Sequence, residues 1–101
     1  MNIRHIYTDE TPEVEDWSKK MSEFLCEQSK FTLVIDTGDC KTFSDTRKVI
    51  GLKVLFDMYK PLTKLYLEKT EIIVRDQHIR RIVRGLIPLF DSKNPVLVRK
   101  C

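Results

Sequence analysis

The chain has 101 residues, 42% hydrophobic and 33% charged, with a net charge of +3. That length fits one domain that buries about 65% of its unfolded surface, and leaves no room for a second. No run approaches the ~20 apolar residues of a membrane span, and Met1–His5 lacks the apolar stretch of a signal peptide, so a soluble cytoplasmic protein is expected.

Ile3 to Tyr7 alternates weakly and predicts an edge strand. Thr11-Pro12 then reads as a helix start, with Thr11 as N-cap and Pro12 at the first helical position. Glu13, Glu15 and Asp16 suit the positive end of the helix dipole. Val14, Trp17, Met21, Phe24 and Leu25 form one apolar stripe, which makes Trp17 a core residue. Phe31–Asp36 is almost wholly apolar, the pattern of a central parallel strand covered on both faces. It ends in the polar turn Asp36-Thr37-Gly38-Asp39.

A loop runs on to about Ser44, where Ser44 or Asp45 caps a second helix extending to about Tyr59. Val49, Leu52, Leu55, Phe56 and Tyr59 are its inward positions, and Pro61 is expected to stop it. Leu65–Glu68 reads as the third strand, with Ile72–Val74 continuing extended, either after a bulge or as a covering segment. Asp76 caps a third helix. Ile79, Ile82, Val83, Leu86, Ile87 and Phe90 give it the cleanest helical periodicity in the chain. Pro88 should kink or end it. Asn94-Pro95 is a turn before a last strand, Val96–Val98. The alternation of strand and helix predicts a single α/β domain. Its sheet should have four strands, mostly parallel or mixed, with three helices packed on it.

Charge is uneven. Residues 1–45 hold five Lys/Arg against ten Asp/Glu, whereas residues 46–101 hold thirteen against five. Such a dipole steers a charged partner or balances two solvated faces. Alanine is absent, a composition suited to an AT-rich genome. Cys26, Cys40 and Cys101 show no paired spacing, and His5 and His78 stand alone in the sequence. No metal site is expected, and free thiols in a reducing compartment are.

Chemistry-bearing residues gather in two places. Asp36, Asp39, Ser44, Asp45 and Thr46 cluster between a strand end and a helix start. Paired carboxylates there can hold Mg²⁺ or act as acid and base, or can simply make turns and caps. A Gly-rich phosphate loop is missing, and nothing sets a histidine beside Cys40 or Ser44, so no catalytic set and no cofactor are expected. Arg75, Arg80, Arg81 and Arg84 form a second cluster, suited to phosphate, acidic protein or anionic lipid, or to a solvated helix face. Each basic residue adds about 1 kcal/mol at an anionic membrane, so attachment there would be weak. Aromatics are not interleaved with these arginines, which disfavours nucleic acid.

Leu33-Val34-Ile35-Asp36, a polar loop, and then Asp45-Thr46 at a helix start resemble the STAS domain, the fold of bacterial anti-sigma-factor antagonists. Lys69–Val74, Ile79–Val83 and Asn94-Pro95-Val96 also resemble small STAS-like proteins, which share a general shape with CRAL-TRIO lipid-transfer domains. The resemblance covers roughly residues 31–100. It implies a hydroxyl at Thr46 that a partner kinase phosphorylates. Arg47 and Lys48 follow Thr46 where that family commonly has a small residue and Gly. The expectation is therefore a non-enzymatic, STAS-like interaction module. Its surface is the 36–48 segment, its partner another protein, and phosphorylation its switch. The alternatives are a lipid or anionic-ligand binder using the arginine face, and a small Mg-dependent phosphatase-like enzyme.

Overall fold

The computed structural model describes residues 2–11, 13–39, 46–86 and 96–99, the Thr46 and Leu86 side chains excepted. Pro12, Cys40, Ser44, Asp45, Ile87, Pro88, Phe90, Asn94, Pro95 and Cys101 lie outside the described residues. The elements are β1 (Ile3–Tyr7), α1 (Val14–Cys26), β2 (Phe31–Asp36), α2 (Thr46–Met58), α3 (Lys60–Tyr66), β3 (Leu67–Ile73), α4 (Gln77–Leu86) and β4 (Val96–Arg99). The four strands form one parallel sheet in the order β1-β2-β3-β4. The expected α/β class holds. Among the described residues the sheet is parallel throughout, and four helices stand where three were expected.

The extra helix comes from Pro61. Proline ends a helix only from its interior. In the first turn its missing N–H costs nothing and its fixed φ fits. Tyr59 leaves helical geometry at φ −101° and ψ 12°, and Pro61 then sits in the opening turn of α3. Leu65 and Tyr66 end that helix, so β3 starts two residues later than the alternation suggested. Short apolar runs fit either period, and this one belongs to the helix. The 67–73 segment is a single strand. Its register slips between Phe31 and Thr32 of β2, so Glu68 has no partner there. That slip lets Leu67, Thr70 and Ile72 all be buried on one side.

Two further readings of helix ends divide. Asp76 does cap α4, accepting a hydrogen bond from the Ile79 amide at 3.0 Å. Thr11 does not cap α1. The N-cap is Glu13, and the Thr11 hydroxyl donates instead to the Tyr7 carbonyl at 2.8 Å, closing the turn after β1.

Parallel pairing sets side chains in rows across the sheet. Ile6, Ile35, Ile72 and Val98 make one row, and Arg4, Leu33, Thr70 and Val96 another on the same face. This face meets Trp17, Met21 and Leu25 of α1, Val49, Leu52 and Leu55 of α2, and Ile79 and Val83 of α4 in one continuous core. Trp17 is fully buried, as its stripe predicted. Its indole N–H donates to the Thr11 carbonyl, which satisfies the one polar atom it carries inside.

The opposite face carries the rows His5, Val34, Glu71, Leu97 and Tyr7, Asp36, Ile73, Arg99. Among the described residues no helix covers it. Ile3, Tyr7 and Leu97 are each more than 40% exposed there. β2 is buried on both faces from Phe31 to Ile35, as expected, and the described helices lie over one of them. The cause is topological. Right-handed crossovers that always step the same way along a sheet put every helix on one side. Val34 and Thr32 are still buried, because the side chains of β1 and β3 flank them.

Candidate functional site

The carboxyl ends of β1, β2 and β3 meet around a depression of about 230 Å³ bounded by Tyr7, Asp9, Glu10, Asp36, Asp39 and Arg75. Asp36 ends β2, and Arg75 follows β3 after one residue, so parallel pairing brings them side by side. Arg75 Nη1 donates to Asp36 Oδ1 at 2.7 Å and to the Gly38 carbonyl at 3.3 Å. That guanidinium holds the Asp36 carboxyl below the usual carboxylate range. Partial burial opposes the shift, and the Gly38 amide reinforces it with a hydrogen bond of 2.9 Å.

The turn beyond Asp36 is tied down at every step. Thr37 donates to the Ile73 carbonyl from both its amide and its hydroxyl, at 3.1 and 2.7 Å. Gly38 takes φ +55°, which strains other residues, and a β-carbon there would lie 2.5 Å from Asp9 Oδ2 and push that carboxylate aside. The same Asp9 oxygen accepts the Asp39 amide at 2.7 Å. The carboxylates at the strand ends thus serve as turn acceptors and an ion-pair partner. Among the described residues no group of three or more His, Cys, Asp or Glu is placed to hold a metal.

Of the residues singled out in the sequence, the structure brings Asp36, Asp39 and Arg75 together here. Thr46 is the first residue of α2. The four arginines do not act as one cluster. Arg75 is committed to Asp36, and Arg80 is half-buried, reaching back to the Val74 carbonyl at 3.4 Å. Arg81 and Arg84 are exposed on α4. The expectation that Arg80 stands outward with them fails because it follows the buried Ile79 and faces the end of β3. His5 stacks on Tyr7 on the uncovered sheet face, and His78 is exposed on α4. Cys26 is an exposed free thiol.

The uncovered sheet face holds its own polar ladder. Glu71 sits between Lys69 and Arg99, each at 3.0 Å. The hydrogen bond from Lys69, with Arg99 adding to it, lowers the Glu71 carboxyl below its ordinary value against the cost of burial.

A larger surface feature lies on the helical side, and the sequence reading passed over it. Ile50, Val54 and Met58 recur at i, i+4 and i+8 on α2 and are 54%, 50% and 64% exposed. Leu62 and Leu65 on α3 are exposed as well. Beside the α2 stripe runs a mainly apolar groove of about 470 Å³ between α1 and α2. Val14, Ser18, Arg47, Ile50, Val54 and Met58 line it. A smaller hollow of about 180 Å³ lies further along α1, against Tyr59, Leu62 and Tyr66. The floor is low because of Gly51, where a β-carbon would stand 2.7 Å from Val14 Cγ2. The signal was in the sequence. Residues 49–58 are apolar around most of the helix, whereas a helix on a single core needs only one stripe.

No family model matches the chain, and neither a curated protein nor a solved structure matches it. No described helix is long and apolar enough to cross a membrane.

Proposed function

We propose that this chain is a non-enzymatic, cytoplasmic protein-interaction module of STAS-like type, whose contact surface is the groove between α1 and α2. The observation that carries the reading is the exposed stripe Ile50, Val54 and Met58. A continuous row of half-exposed large apolar side chains on one helix face marks a protein contact. Arg47 opens that groove at the start of α2, within the 36–48 segment that the STAS likeness marks. A phosphate on Thr46 would add about two negative charges at the N-terminus of α2, where the dipole favours them. It would change the charge at the groove's mouth and so switch the partner's affinity.

Two features weigh against the alternatives. Asp36 spends its carboxylate on Arg75 and on the Gly38 amide, which leaves little for acid–base work. The strand order runs without reversal, so no crevice opens between helices diverging to opposite faces, the usual ligand site of open α/β sheets.

Capture from a lysate of the native host tests the reading, comparing the parent, Val54→Glu and the pair Arg81→Gln, Arg84→Gln. A protein retained by the parent and the arginine variant but lost by Val54→Glu is the expected result. Retention by Val54→Glu with loss in the arginine variant would overturn it in favour of the basic face.

A further inference from the structure

We infer that the occupant of the α1–α2 groove is a second copy of this chain, packed through α2 about a two-fold axis. The inference rests on the interaction reading and names its partner. Three observations carry it.

The first is shape. An isologous contact requires a surface that complements itself. Here a ridge and a groove lie side by side on each copy. Ile50, Val54 and Met58 form the ridge, one i±4 row, and the depression beside it is bounded on its far side by Val14 and Ser18 of α1. Rows of this kind interlock when two helices pack. With two copies antiparallel through α2, the ridge of each enters the groove of the other.

The second is charge. Residues 13–27, which span α1, hold five acidic and two basic side chains. Residues 46–66, which span α2 and α3, hold five basic and one acidic. A two-fold axis beside α2 lays the basic pair of helices of one copy against the acidic helix of the other, twice. Each chain already makes one bridge of this kind internally, Lys48 to Glu13 at 3.1 Å. An anionic bilayer fits the same surface poorly, because Glu15 stands on the groove wall and would face the lipid phosphates.

The third is depth. Gly51 lets α1 and α2 approach closely enough that Val14 fills the space a β-carbon would take. The ridge of a partner therefore finds a floor of Val14 and Leu55 rather than an open slot.

Analytical ultracentrifugation of the whole chain up to about 300 µM tests this, a ceiling above the micromolar range that standard-size interfaces reach. A dimer is expected. Val54→Glu and Ile50→Lys should each weaken it by at least about tenfold, as loss of a central apolar anchor does, with unchanged helical circular dichroism. The double change Glu15→Lys, Glu23→Lys should weaken it too, and rising salt should do the same to the parent. A chain that stays monomeric at the highest concentration overturns the inference. So does a dimer indifferent to both stripe variants, or stripe-dependent binding to phosphatidylserine vesicles. A monomer that still loses a lysate partner on Val54→Glu defeats the second copy while leaving the interaction reading intact.

Discussion

One face of the sheet carries Ile6, Ile35 and Ile72, no more than 1% exposed beneath the helices. The other face carries, one residue earlier on each strand, His5, Val34 and Glu71. The two faces share a backbone and differ in what lies over them. On the covered face burial comes from a second layer of structure. On the other face, among the described residues, it comes from neighbouring strands, and Val34 is buried while Ile3, Tyr7 and Leu97 are not. A central strand can therefore be apolar on both sides with helices on one. Full apolarity in a strand reports central position in the sheet as much as it reports a sandwich.

The sharpest test sets adjacent residues of β2 against each other. Leu33→Asp buries a carboxylate in the helix-covered core and should cost more than about 4 kcal/mol, enough to abolish folding. Val34→Asp should cost less, about 2 to 3 kcal/mol, because its carboxylate reaches water on the open face even though it lies in register with Glu71. Urea denaturation measures both. Equal losses would show the two faces equally dry and break the comparison.

A milder change probes the covered face alone. Thr70 lies in register between Leu33 and Val96, fully buried, its hydroxyl without a hydrogen-bond partner among the described residues. Replacing an unsatisfied hydroxyl with a methyl of the same shape removes a desolvation cost. Thr70→Val should therefore stabilise the fold by about 1 kcal/mol and raise the melting temperature. Thr32→Val on the open face should leave it nearly unchanged.

The smallest effect belongs to the open face's carboxyl edge. Arg75 lowers the Asp36 carboxyl, so the bridge contributes fully above the unfolded carboxylate value of about 4. That contribution is lost as pH falls through the lower folded value. Arg75→Gln should cost under about 1 kcal/mol at neutral pH, since the pair is partly exposed. The gap between variant and parent should close in acid. A gap that stays constant down to pH about 2, below the usual carboxylate range, would show that Arg75 acts through packing rather than charge.

The sequence disclosed most of this framework because periodicity is a local property. The Trp17 stripe of α1, the apolar run of β2, the Asp76 cap and the inward face of α4 each fit one period cleanly. The second helix does end before Pro61, at Met58, but proline also suits a first turn, so the helix that Pro61 opens went unread. The two sheet faces were hidden because strand order is not local. A crossover's direction depends on which edge the next strand takes, and no single residue records that. The Asp36–Arg75 pair was equally hidden, its members 39 residues apart and joined only by the register of β2 on β3. The exposed α2 stripe was legible as an excess of apolar residues, but that helix reads as buried until its neighbours are known.

The unreversed strand order bears on synthesis at the ribosome. Each new strand pairs with the one made just before it, so no strand waits for a distant partner still to be translated. The β1–α1–β2 unit has its own strand pairing by residue 36, and each later unit docks on an edge already formed. Each pairing still joins residues 26 to 37 positions apart, so its loop must close before the strand contacts form, and a parallel sheet folds more slowly than a helical bundle. The growing edge is also the exposed one throughout, so a nascent chain stalled after β3 presents an unpaired strand, the template on which aggregation starts. β4, only four residues long, closes that edge last.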